Sequence, residues 1–161
     1  MASAASYSTA VHELYVTYFG RPADSVGLGN FEAALAAANA PTDLAGLEAA
    51  YGTNAAVTSL INSFGTSAES AKLYGTPTTS TATAEAFVNA VFQNVLGRAP
   101  AVAGLTFWTN AIISGQVSLG NAALSIAAGA LADPTDSVTI ANKVAVAANF
   151  TSDIGATTAG I

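Results

Sequence analysis

The feature that most constrains this chain is a repeat. A Gly-Arg dipeptide followed, five residues on, by Gly-Leu occurs at Gly20-Arg21 with Gly27-Leu28, and again at Gly97-Arg98 with Gly104-Leu105. The offset is 77 residues, and the flanks agree at it too. Val11 falls on Val88, Leu14 on Val91, Tyr15 on Phe92, Tyr18 on Val95, Phe31 on Trp108 and Leu35 on Ile112. Self-similarity at a fixed offset is the signature of one supersecondary unit used twice.

Hydrophobic spacing says what the unit is. Tyr7, Val11, Leu14, Tyr15 and Tyr18 lie at i, i+4, i+7, i+8 and i+11, one apolar stripe of a helix from about Ser6 to Phe19. Gly20 supplies a left-handed stop and Pro22 prevents resumption. A second helix follows over Val26 to Asn39, capped by Asp24 or Ser25, with Leu28, Phe31 and Leu35 inward. The pattern restarts after a Thr-, Ser- and Pro-rich stretch. Ala84 to Leu96 carries Val88, Val91, Phe92 and Val95 on one face and stops at Gly97; Val102 to Ser114 carries Leu105, Trp108 and Ile112.

Further helices are expected from the Asp43 cap to Ala50, from Thr53 or Asn54 to a stop at Gly65, and from a Thr66/Glu69 capping box to Tyr74. Two more run from Ser118 to Leu131 and from an Asp136 cap to Phe150, and no segment has a convincing strand period. The expectation is an all-α bundle of about eight to nine short helices from two tandem helix-turn-helix repeats. Residues 1–75 form the first repeat, 76–83 a linker and 84–161 the second, and the two can pack as one compact domain. Leu14, Tyr15, Tyr18, Phe31, Val91, Phe92, Trp108 and Ile112 are the expected core.

The repeat also constrains its arginines. Asp24 is available to Arg21, but its counterpart beside Arg98 is Ala101, so a role common to both copies cannot rest on that acid. Each Arg instead adjoins the last carbonyls of the preceding helix, where a cation is favoured by roughly 0.3–1 kcal/mol. Capping of those carbonyls is the expected role. Gly27 and Gly104 are expected to permit close helix approach.

Composition excludes several functions. Four Lys/Arg against ten Asp/Glu give a net charge of −6, and Arg21, Lys72, Arg98 and Lys143 are too few and scattered to displace phosphate counterions. Nucleic acid and anionic membrane surfaces are therefore poor partners. The chain is 52% hydrophobic but only 9% charged, against about 25% charged in ordinary domains; Ala supplies much of the apolar share and Ser, Thr and Asn the polar share. Without cysteine there is no disulfide or thiolate chemistry. The N-terminus lacks the basic and apolar regions of a Sec signal, and the apolar run Ile126 to Ala132 is too short to span a membrane.

Catalytic sets are hard to assemble. His12, the one histidine, sits off the apolar stripe and reads as a surface residue; no Ser/His/Asp set or zinc site forms around it. Glu32, Glu48 and Glu69 fit exposed helical positions, with no motif pairing them as glycosidase acids. Asp133-Pro134-Thr135-Asp136 reads as a turn and helix cap before it reads as a calcium loop. Trp108 and Phe31 invite sugar stacking, but both lie on inward stripes. Asn149-Phe150-Thr151 fits the N-glycosylation pattern, a match that arises mostly by chance in a bacterial protein. The chain is expected to be no enzyme.

The turn residues carry a family resemblance. Tyr18 to Leu28, and more fully Val95 to Trp108, resemble domain-of-unknown-function family 4214, and Asn142 to Thr151 looks like the helix that follows this motif in surface-layer and RTX-type proteins. The copies depart from the family pattern at Ala101 and at Gly29-Asn30. The resemblance implies an extracellular module of the bacterial cell surface, exported by type I secretion and anchoring an S-layer through lipopolysaccharide O-antigen or another surface polysaccharide. Self-assembly with copies of itself is the alternative role. It implies no cofactor in this segment, with calcium possible in the full-length protein; the residues give no glycan-binding positions.

Overall fold

A computed structural model describes residues 2–75 and 80–158. Among them the chain is all-helical. A 3-10 turn, Ala4–Tyr7, leads into α1 (Ser8–Phe19), α2 (Ser25–Ala37), α3 (Leu44–Ala50), α4 (Ala55–Gly65) and α5 (Ala68–Tyr74). Then come α6 (Thr81–Leu96), α7 (Val102–Ile113), α8 (Leu119–Leu131) and α9 (Pro134–Thr158). Of the expected linker, 76–79 lie outside the described residues, Ser80 caps α6 through the Thr83 amide, and Thr81 to Thr83 are already helical.

Most boundaries follow local chemistry. Asp24, Asp43, Asn54 and Ser118 each accept a backbone N–H at the start of their helices, satisfying donors that have no partner within the first turn. Gly20 and Gly97 end α1 and α6 at φ 65° and 67°, a left-handed conformation that suits glycine. Two caps and one helix end differ from expectation. Ser67, not Thr66, caps α5, because Glu69 is engaged elsewhere and does not close a capping box. Asp133, not Asp136, receives the first amides of α9, from Thr135 and Asp136. That helix continues well past Phe150.

The core is organised around α8. Nine of its thirteen residues are buried, five of them Ala, as expected for a helix enclosed on nearly all sides. It touches α1, α3, α4, α6, α7 and α9. One hydrophobic cluster joins Leu14 and Tyr18 of α1, Leu47 of α3, Ile61 and Phe64 of α4, Phe87 and Val91 of α6, Leu124 of α8 and Val144 of α9. Tyr15 is buried with them, whereas Phe31, Phe92, Trp108 and Ile112 pack against the cluster from half-buried positions. Phe64 is the aromatic hub: its ring lies 4.8 Å from Tyr18, 4.5 Å from Phe31 and 5.5 Å from Tyr15.

Two glycines set the spacing at α8. A Cβ on Gly120 would stand 2.8 Å from the Ile61 carbonyl oxygen, and one on Gly65 would stand 3.0 Å from the Gly120 amide nitrogen. Gly65 is the last residue of α4, where the stop was expected, and it is also a close-approach residue against α8. The Tyr18 hydroxyl donates to the Gly120 carbonyl at the same crossing. Gly27 meets its expectation, since a Cβ there would run into the Tyr15 hydroxyl of α1. Gly104 does not: open space surrounds it, because α7 lies at the edge of the bundle.

Gly120→Ala forces α4 and α8 apart and is expected to lower unfolding stability by about 1–3 kcal/mol, the usual cost of overpacking. Gly104→Ala is expected to be neutral or slightly stabilising. Urea denaturation of the two variants tests the contrast; equal effects would refute this packing.

Candidate functional site

The first Gly-Arg turn lies on the wall of a groove. Gly20 brings the chain out of α1 so that Arg21 turns back over the aromatic cluster, its guanidinium carbon 5.1 Å from the Tyr15 ring centroid and 5.5 Å from that of Phe19. Nε donates to Glu69 Oε1 at 2.7 Å, Nη2 to Oε2 at 2.6 Å, and Nη1 to the Pro22 carbonyl at 2.8 Å. Arg98 donates through Nη2 to Asp136 Oδ2 at 2.8 Å. Neither arginine caps the preceding helix. Each takes a hydrogen-bonding carboxylate from a distant helix; Arg21 also has Asp24 at 3.8 Å, an added ion pair that Ala101 denies to Arg98. A half-exposed pair of this kind contributes on the order of 0.5–1 kcal/mol and chiefly fixes geometry.

The carbonyls are capped by other residues. Lys143 of α9 donates to the Gln93 and Asn94 carbonyls at 3.1 and 2.6 Å, closing the end of α6, and partial burial lowers its pKa. The Asn94 amide donates to the Thr17 carbonyl at 3.3 Å near the end of α1. The Tyr74 hydroxyl donates to the Tyr18 carbonyl beside it. Long-range partners replace the local cation because the two helix ends meet inside one bundle.

Two adjoining cavities, of about 490 and 320 Å³, share Arg21 and Pro22 and run along α9. Asn142, Lys143, Val146, Phe150 and Ile154 form one wall, the Gly20–Ser25 turn the other, and Gln93 and Asn94 close one end. From Asn142 to Ile154 the helix rises roughly 18 Å. Thr151 ties the walls together, donating to the Ala23 carbonyl at 2.5 Å. That contact buries the Thr of the chance match to the glycosylation pattern. Val146, Phe150 and Ile154 form an exposed stripe at i, i+4 and i+8, with Phe150 54% exposed. The side-chain amides of Gln93 and Asn142 have no protein partner among the described residues.

The aromatic on the groove wall is thus Phe150, which sequence reasoning named only as a helix end and part of a glycosylation pattern. Its signal was present in the spacing 146, 150, 154, beside the inward stripe at 140, 144, 147 and 151. Trp108 and Phe31 are half-buried against the core.

His12 is corrected. It is 2% exposed, enclosed where α1 meets the rest of the bundle, and Nδ1 has no hydrogen-bond partner. With Ser8, Thr9 and Glu13 it lines a separate cavity of about 330 Å³ against α9. Burial, with the Asp43 carboxylate adding to it, raises the Glu13 carboxyl from 4.5 to about 7. The folded chain then holds a proton that the unfolded chain releases, so Glu13 favours folding less as pH rises from about 4.5 to 7. Burial lowers the His12 pKa, so protonation of the unfolded chain below 6.5 opposes folding from the acid side. Among the described residues no three His, Asp or Glu side chains group as metal ligands.

Glu13→Gln isolates the first effect. It is expected to raise stability at pH 8 by about 1–3 kcal/mol and to leave it unchanged at pH 4, by urea denaturation at both values. An equal gain at both pH values would contradict the assignment.

Neither a curated protein nor a solved structure matches the chain. Residues 61–130, which carry the Gly97-Arg98 turn and run from within α4 to the end of α8, match the family model described as a domain of unknown function, DUF4214, in support of the resemblance read from that turn.

Proposed function

We propose that this chain is a non-catalytic anchoring module of the bacterial cell surface that holds a polysaccharide, the O-antigen of lipopolysaccharide, in the groove along α9. The groove itself carries the reading. Its length suits a few sugar units, its free amides from Gln93 and Asn142 match hydroxyl groups, and Phe150 offers a face to an apolar sugar edge. The two cations on its wall, Arg21 and Lys143, are already engaged by Glu69 and by carbonyls, which favours a neutral glycan over a polyanion. A protein of the S-layer or RTX type, exported by type I secretion, is the setting this implies, with any calcium requirement in the remainder of such a protein.

The same proposal includes two copies of one unit. In support, α2 and α7 start 77 residues apart, Gly20 and Gly97 share a backbone conformation, and α1 to α4 repeat in order as α6 to α9. Asn94 and Thr17, which meet across the helix ends, are equivalent positions under that offset.

Titration with purified smooth and rough lipopolysaccharide tests the anchoring role. Smooth material is expected to bind, with Asn142→Ala and Phe150→Ala each weakening it roughly five- to tenfold. Failure to bind either form would remove the reading.

Self-assembly is the second reading, favoured by α7. That helix has no charged residue and exposes Val102, Phe107 and Ile113 at the edge of the bundle. Sedimentation velocity with and without calcium decides it: oligomers that dissociate in Phe107→Ser are expected, and a persistent monomer counts against it.

A further inference from the structure

A cavity of about 630 Å³ lies between α4–α5 and the α7–α8 connection, and it shares no residue with the groove along α9. Its wall is mostly apolar, from Ile112, Val117, Leu119 and Ala71, and it is of the size that holds a small molecule. Asn62 is its most informative polar member.

The orientation of the Asn62 amide follows from its neighbours. Tyr51 and Ser118 place hydroxyl oxygens 2.9 and 2.7 Å from one terminal atom of that amide, and the two hydroxyl oxygens are 2.9 Å from each other. An NH2 group directs its two hydrogens about 120° apart, so two acceptors of one NH2 would stand about 5 Å apart. The atom facing the hydroxyls is therefore the carbonyl oxygen, which accepts from a close pair of donors. Nδ2 is left with both hydrogens unpartnered among the described residues, on a side chain that lines the cavity. A donor locked in place by two hydroxyls beside an apolar wall selects for an acceptor on an apolar body.

We propose that this cavity binds a small lipophilic molecule bearing a carbonyl acceptor, such as a fatty-acyl ester or amide, with the Asn62 N–H groups donating to the carbonyl oxygen. Tyr51 is a positioning residue, since it touches the amide and does not line the cavity, whereas Ser118 both holds the amide and lines the cavity. The inference rests on neither the anchoring nor the assembly reading.

Methyl hexanoate is a suitable probe, because it accepts hydrogen bonds and donates none. Titrated into the full 161-residue chain labelled with 15N, it is expected to shift the Asn62 side-chain amide resonances saturably. Asn62→Asp keeps the acceptor for both hydroxyls but loses the donor, and is expected to weaken binding at least tenfold. Ala71→Trp fills the cavity from its exposed rim and is expected to abolish binding, whether or not the Asp variant folds. Absence of a saturable shift, or unchanged binding in Ala71→Trp, would overturn the site. Unchanged binding in a folded Asn62→Asp would overturn the role of the amide.

Discussion

Close approach of small residues around α8 is the constraint on which the rest of the structure depends. A chain with few charges and many alanines gains little from each buried side chain, so it must bring backbones together to exclude water and recover dispersion contacts. Gly65 and Gly120 allow α4 to lie against α8, and the buried alanines of α8 let five further helices close around it. The large side chains then complete the core from outside that axis. Phe64 stacks on Tyr18, and Tyr18 returns a hydrogen bond to the carbonyl of Gly120, so the aromatic cluster and the helix crossing are one unit.

The grooves follow from this packing. Helices drawn tightly onto one central helix splay where larger loops and turns intervene. One such gap opens between α9 and the Gly20–Ser25 turn, and another beside the connection that leads into α8. The second is lined by uncharged side chains, and the charges on the first are held at turns and helix ends: Arg21 by Glu69, Asp24 at the cap of α2, and Lys143 on the last carbonyls of α6. A surface of this kind offers hydrogen bonds and shape, whose contributions depend less on salt than those of ion pairs.

What the sequence disclosed was the part of the structure determined locally. Helix stripes, the left-handed glycines and the caps at Asp43, Asn54 and Ser118 depend on a few adjacent residues, and the spacing carried them. What it concealed was set by distant contacts. Glu69 reads as an exposed helical acid until α5 is brought against the first turn, 48 residues away, where it meets Arg21. His12 lies off the stripe that faces the core, yet α9 and its neighbours cover that side too. Gly104 matches Gly27 in sequence but not in surroundings, since α2 has a tyrosine pressed against its glycine and α7 has none. The groove residues were illegible for the same reason: Asn142 and Phe150 are ordinary helix-surface positions until the turn after α1 is seen opposite them.

The central claim is that α8 joins the residues on both sides of 76–79 into one cooperative core. Native-state hydrogen exchange tests it most directly, because it reads the opening free energy of each helix separately. Amides in the middle of α1, α4, α6 and α8 are expected to exchange only through global unfolding, with one common free energy and one common dependence on denaturant. Earlier opening of α1 and α4 while α6 and α8 stay protected would show two independent cores, and would contradict the account.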